Sequence, residues 1–288
     1  MQTLNILLQF ILPHHAISRF MLWFTRIRAA PVKNGFMKFF VSVYKPDLSE
    51  AENPDPYAYE HFNAFFTRAL RAGARPLAGD ANTIVSPVDG TMNQSGAIHA
   101  NQVLQAKGRY YTLEALLAGA APSWARRFVD GRFATIYLAP YNYHRIHMPA
   151  SGRLAGIWYV PGRLFSVNTI ASRLVTNLFA RNERLVLLFD GESGPFAVIF
   201  VGALNVGSMA TVWHGDVTPR RPRVVTELPL PPEADRYLER GAEVGRFNMG
   251  STVVVLFGAG SAELASIASG STMRLGQRLG ELNRTASA

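Results

Sequence analysis

Residues 184–204 read R-L-V-L-L-F (184–189), D-G-E-S-G-P (190–195) and F-A-V-I-F-V-G-A-L (196–204). Two short runs rich in Val, Leu, Ile and Phe, parted by an interval carrying Gly and Pro, read as strands. Branched and aromatic side chains suit a pleated, buried surface, and Gly and Pro break it. The same punctuation starts near Ile84 and predicts further strands over 133–138, 208–213 and 252–257. Short helices are predicted over 112–117 and 171–179. Residues 219–234, rich in Pro and Arg, read as an exposed connection, and the polar tail after Leu282 is expected to fray.

Upstream of residue 76 the period changes. Ser18 can cap a helix running to Ala30, with Phe20, Trp23, Phe24 and Ile27 at spacings of three to four and Pro31 as its stop. Asp55-Pro56 looks like the start of a second helix, carrying Tyr59, Phe62, Phe65, Phe66 and Leu70 and ending at Gly73. The fold class is therefore α+β. A helical, membrane-associating region over 1–75 adjoins a mostly antiparallel β catalytic body over 76–288.

Composition narrows the function. The 288 residues include no cysteine, which excludes disulfides, thiolate catalysis and cysteine-ligated metal centres. The net charge is +9, and residues 1–46 hold six Lys or Arg, eight aromatics and no Asp or Glu. Cationic and bulky apolar side chains together suit an anionic bilayer surface. Nucleic acid, the rival for such a mixture, is disfavoured by the abundance of Leu, Ile, Met and Phe. The uncharged run 1–18 is broken at Pro13, His14 and His15, short of the roughly 20 apolar residues a spanning helix needs. It also lacks the basic start and cleavage site of a secretion signal. A peripheral protein at the cytoplasmic face of the cell membrane is expected.

Three stretches can carry chemistry. Gly250-Ser251-Thr252 precedes an apolar run, so Ser251 sits in a turn at the mouth of a buried strand. The motif G-x-S-x-G occurs nowhere, which removes the commonest hydrolase elbow. Tyr143-His144-Arg145-Ile146-His147-Met148-Pro149 brings two imidazoles that titrate near neutrality and suit proton transfer. A metal site would need a third ligand at a recognisable distance, and none is evident. Ser86-Pro87-Val88-Asp89-Gly90 offers a carboxylate able to orient a histidine. Singly, each has an ordinary reading as a turn or loop residue.

In order and spacing, S-P-V-D-G, Y-H-R-I-H-M-P and G-R-F-N-M-G-S-T resemble the signatures of bacterial and mitochondrial phosphatidylserine decarboxylases. F-F-T-R-A-L-R-A-G-A-R-P (65–76), Y-V-P-G-R-L-F-S-V-N (159–168) and N-L-F-A-R-N-E-R (177–184) are similar to further motifs of that family. Departures fall at Met249, where the family's branch has Leu, at Asn142, where an acid is expected, and at Thr169, where Pro is common.

The resemblance implies a lyase that makes its own cofactor. Ser251 attacks the Gly250 carbonyl, β-elimination follows, and hydrolysis of the resulting dehydroalanine leaves a pyruvoyl group at 251. Fragments 1–250 and 251–288 then persist as a heterodimer, with further oligomerisation left open. The family's chemistry runs through a Schiff base with phosphatidylserine and releases carbon dioxide and phosphatidylethanolamine. It implies His147, oriented by Asp89, as the base for self-cleavage and His144 as the group that returns a proton to the α-carbon. The rivals are a serine hydrolase built on Ser251, His147 and Asp89, a non-enzymatic binding protein, and a pyruvoyl enzyme acting on soluble amino acids.

Overall fold

A computed structural model describes residues 9–119, 122–204 and 208–283. Part of the uncharged run 1–18, and of the tail expected to fray, lies outside these residues. The chain opens with helices α1 (His14–Phe24) and α2 (Ala30–Tyr44), followed by the single-turn helix α3 (Phe62–Phe66). The helix predicted to stop at Pro31 instead ends at Thr25, and Pro31 lies in the first turn of α2. A proline there loses nothing, because the first-turn N–H groups have no partner inside a helix. Asp55 accepts a hydrogen bond from Tyr57 N but caps only a turn, Pro56–Ala58. The cap of α3 is His61, whose Nδ1 accepts from Ala64 N at 3.0 Å. The helix predicted over 171–179 is two pieces, Thr169–Leu174 and Leu178–Arg181.

The β body contains strands β1 (Gly90–Ala97), β2 (Arg132–Tyr137), β3 (Arg145–His147), β4 (Gly152–Val160), β5 (Arg184–Gly191), β6 (Gly194–Val201), β7 (Met209–Thr211), β8 (Glu243–Phe247) and β9 (Thr252–Phe257). The large sheet runs β4-β5-β6-β9-β2-β1, with edge pairings from Thr226–Glu227, Tyr237–Leu238 and Thr272–Met273. Every pair in it is antiparallel. The stretch 184–204 forms its centre: β5 and β6 pair over eight residues from Arg184↔Val201 to Gly191↔Gly194. All six residues of β9 are buried, and it pairs on both sides, with β6 and β2. Such a strand needs apolar side chains on both faces, which explains its unbroken run of Val, Leu and Phe. A smaller sheet, in the order Gly215–Asp216, β7, β8, β3, stands beside it.

The helices meet this body through a separate aromatic cluster of Met37, Phe40, Phe62, Phe65 and Phe66. A five-residue helix cannot hold itself in water. Burying the three phenylalanines of α3, each worth ~1.5–3 kcal/mol, fixes it in place.

Candidate active site

The Gly250–Ser251 peptide lies where the chain passes from one sheet to the other. Asn248, Met249 and Gly250 link β8 of the smaller sheet to β9 of the large one. Ser251 O accepts from Leu138 N at 2.8 Å, which continues the β9–β2 ladder by one residue. The Ser251 side chain is wholly buried, and its Oγ has no hydrogen-bond partner among the described residues. Thr252 Oγ1 is in the same condition. Buried hydroxyls are rarely left this way, and each such case calls for an explanation.

His144 comes to this junction through its backbone. The β3–β8 ladder pairs Arg145 with Arg246, and Phe247 N donates to His144 O at 3.0 Å. A side-chain carbon placed on Gly250 would lie 3.4 Å from His144 Nε2. The Nδ1–H of His144 donates to Asn142 O at 2.8 Å, so Nε2 carries the lone pair, and it too is buried without a partner. Phe66 packs on the ring at 4.1 Å between centroids. Burial is the main force pushing the His144 pKa down to about 3, and the nearby positive charge of Arg68 adds to it. The imidazole is therefore neutral at any physiological pH. Asn142, placed where an acid was expected, accepts from Ala139 N through its side chain at 2.8 Å and closes the loop that carries His144.

His147 faces elsewhere. Its Nδ1–H donates to Gly241 O at 2.8 Å, and its Nε2 accepts from the Tyr143 hydroxyl at 3.1 Å. Burial lowers its pKa and raises that of Tyr143 to about 12.

The contact expected between Asp89 and His147 is not made. Both Asp89 oxygens are taken by Arg75, through Nε at 3.0 Å and Nη2 at 2.6 Å. Leu275 N also donates to Oδ1 at 2.8 Å. A two-pronged guanidinium–carboxylate pair is stronger than a neutral imidazole hydrogen bond, so it wins the carboxylate. Asp89 reaches His147 only through its field. Arg75 extends the network to Glu50 at 2.7 Å. Gly90 fits the same place for a steric reason, since a side-chain carbon there would lie 2.4 Å from Tyr137 O. Arg75 went unread in the sequence, although it stands in the 65–76 motif and is the arginine closest in sequence to Asp89.

A cleft of about 410 Å³ opens onto Gly250. Its walls include Phe36, Phe39, Phe40, Phe66, Tyr137 and Met249, with no charged side chain. At its outer end lie α1 and α2, which leave Phe20, Trp23, Phe39 and Val43 more than half exposed. An apolar channel thus runs from an apolar surface to Gly250, the residue before the buried Ser251 and beside the neutral His144. That geometry suits a substrate with long apolar chains and a small reactive head.

The family model described as phosphatidylserine decarboxylase matches residues 62–281, and a second, described as PSD, matches 4–45. The chain belongs to the phosphatidylserine decarboxylase family. It is 48% identical over 274 residues to the phosphatidylserine decarboxylase proenzyme of Methylococcus capsulatus, covering 95% of this chain and 94% of that one. It is 48% identical to the Pseudomonas fluorescens proenzyme over 96% of each chain. The Azoarcus sp. proenzyme is 49% identical over 97% of this chain and 96% of its own.

Proposed function

We propose that this chain is a proenzyme that cuts itself between Gly250 and Ser251 and then converts phosphatidylserine to phosphatidylethanolamine and carbon dioxide. The observation that carries the reading is the buried, unpartnered Ser251 hydroxyl directly after Gly250, the glycine that lines the apolar cleft and has His144 Nε2 beside it. Self-cleavage needs such a hydroxyl close to the carbonyl it attacks, and Gly250 leaves room for the approach.

The residues around position 251 fit a pyruvoyl group. Thr252 Oγ1 and the His144 Nε2 lone pair are buried without partners, a hydroxyl that a ketone oxygen can engage and an acceptor for a bound amine. When present, the group supplies an electron sink for the pair left by departing carbon dioxide. The protein's own part is positional. The apolar cleft takes the acyl chains and excludes water, and a neutral His144 is held by Asn142 O and Phe66 next to position 251. That placement favours His144 Nε2 as the station that takes a proton from the substrate ammonium as it condenses and returns it to the α-carbon.

His147 and Asp89 are assigned to self-cleavage. Their direct link is absent, so Asp89 acts through the Arg75–Glu50 network and through its hold on Leu275 in the downstream fragment. His147 works with Tyr143. A second reading, in which His144 also takes the Ser251 proton, is favoured by its nearness to Gly250.

The membrane setting follows from the substrate. Each buried methylene is worth ~0.8 kcal/mol, so a diacyl lipid is met at the bilayer surface rather than in water. The helical region 1–75 presents the exposed aromatics of α1 and α2 to that surface, within the acid-free basic stretch 1–46. Among the described residues no helix is long and apolar enough to cross a membrane.

The experiment scores His144→Ala, His147→Ala and Ser251→Ala separately for cleavage and for carbon dioxide release from phosphatidylserine vesicles. The assignment expects His144→Ala to be cut but inactive, His147→Ala to be cut slowly or not at all, and Ser251→Ala to be neither cut nor active. A cut His147→Ala beside an uncut His144→Ala would transfer the cleavage role to His144.

A further inference from the structure

Arg68 is 4% exposed, yet its guanidinium makes no hydrogen bond or ion pair to any described residue. Its Nε is buried and unsatisfied, the Phe65 ring lies 5.7 Å from the guanidinium carbon, and Asp89 and Asp47 act on it only through their fields. A buried, unpaired guanidinium costs several kcal/mol, so such a group ordinarily has an anion. The other arginines around the junction already have theirs. Arg75 holds Asp89 and Glu50, Arg145 and Arg246 share Glu243, and Arg26 holds Asp216.

We propose that Arg68 is the counter-ion for the carboxylate that self-cleavage creates on Gly250. The proposal rests on cleavage at Gly250–Ser251. In that step Ser251 Oγ bonds to the Gly250 carbonyl carbon and the C–N bond breaks, giving an ester and a free amine. Loss of the Ser251 Cα proton then breaks the Cβ–O bond, and the ester oxygen leaves with its electron pair on Gly250. Water completes the sequence by releasing ammonia from the 251 side. A negative charge thus appears in a buried place that had none before the cut.

The geometry ties that charge to Arg68. The helix preceding Arg68 grips the upstream side of the junction, with Asn63 Nδ2 donating to Asn248 O at 2.8 Å. Beyond Asn248 only Met249 and Gly250 remain after the cut, a reach of ~7 Å. Met249 already packs against the α3 phenylalanines. His144 lies beside Gly250 with Phe66, two residues before Arg68, packed on its ring at 4.1 Å, and the charge of Arg68 acts on it. Arg68 also lines a small cavity of about 150 Å³ with Asp47, Glu50, Arg75, Asp89, Asn142 and Tyr143.

The uncut chain therefore carries a buried guanidinium with no hydrogen-bonded anion, and cleavage supplies one and opposes reversal. The test compares Arg68→Met in two backgrounds by denaturant midpoint. In the uncut Ser251→Ala chain the substitution should be neutral or stabilising. In processed protein it should lower the midpoint, with Arg68→Lys in between. Equal losses in both backgrounds would make Arg68 an ordinary scaffold residue and overturn the proposal. A second measurement uses wild-type protein carrying carbonyl-13C glycine and guanidinium-15N arginine, examined by solid-state NMR. Among the 24 glycines only Gly250 would give a carboxylate signal. That carboxylate should be dephased by arginine nitrogen at about 4 Å or less, the reach of an ion pair, and Arg68→Met should abolish the effect. A glycine carboxylate with no nearby arginine nitrogen sinks the counter-ion, even if Arg68→Met proves uncuttable. The absence of any glycine carboxylate, with an uncut mass, instead sinks the cleavage reading beneath it.

Discussion

At the scale of single residues the site is defined by what its polar atoms lack. Ser251 Oγ, Thr252 Oγ1 and His144 Nε2 are buried and unpaired within one neighbourhood, whereas Asp89 is fully engaged with Arg75 and Leu275 N. The state of His144 has a thermodynamic consequence. Its folded pKa of about 3 lies below the ordinary 6.5, so the unfolded chain takes up the proton first. Stability from this group is complete above about pH 6.5 and is lost as the pH falls toward 3, at ~1.4 kcal/mol per pH unit. His14, His15, His61 and His147 are also lowered by burial and add to the acid slope. In the uncut Ser251→Ala background, His144→Phe should flatten the fall of urea stability between pH 6 and 4 by about that amount per unit. An unchanged slope would mean that the ring is solvated.

At the scale of elements, α1 and α2 have two faces with different tasks. Met37 and Phe40 anchor α2 to the α3 phenylalanines, while Phe20, Trp23 and Phe39 point to solvent beside the cleft. Phe40→Ala should cost ~3–5 kcal/mol, read as a lower denaturation midpoint and early proteolysis near residue 45. The combined change Phe20→Ser, Trp23→Ser and Phe39→Ser should leave that midpoint nearly unchanged. It should instead weaken co-sedimentation with phosphatidylserine vesicles at least tenfold. Full vesicle binding by the triple variant would remove these helices from the membrane role.

The strands were legible in the sequence because each buried run, such as 184–189 or Thr252–Phe257, is bounded by Gly, Pro or Asn. Strands β1, β3, β4 and β8 were not read. β1 carries Gly, Asn, Gln and Ser with little apolar pattern, β3 is three residues long, and β4 and β8 are interrupted by Gly156 and Gly245, so none shows a clean run. The N-terminal boundaries were misplaced for a different reason. Pro31 stops a helix or starts one according to which side of it the helix lies, and only packing decides. The site residues could be named from motif order, but Arg75 and Arg68 could not be given roles. Their meaning depends on which carboxylate each meets, or fails to meet, in the fold.

At the scale of the molecule, the proposed cut falls at a crossing between sheets, and the downstream piece is woven into the body. β9 pairs along six residues on each side, Arg278–Leu282 lies between Thr83–Val85 and Ala262–Leu264, and Asp89 holds Leu275. Cleavage at Gly250–Ser251 should therefore leave one particle. Gel filtration of processed protein in buffer should show both fragments co-eluting, and they should separate only in denaturant. Release of 251–288 under native conditions would contradict the placement of β9 at the sheet centre.

The most direct test of self-cleavage is the intact mass of the purified protein under denaturing conditions. Two chains, 1–250 and a 251–288 fragment whose first residue is a pyruvoyl group rather than serine, are the predicted result. A single uncut chain of 31.7 kDa after prolonged incubation with phosphatidylserine vesicles would contradict it.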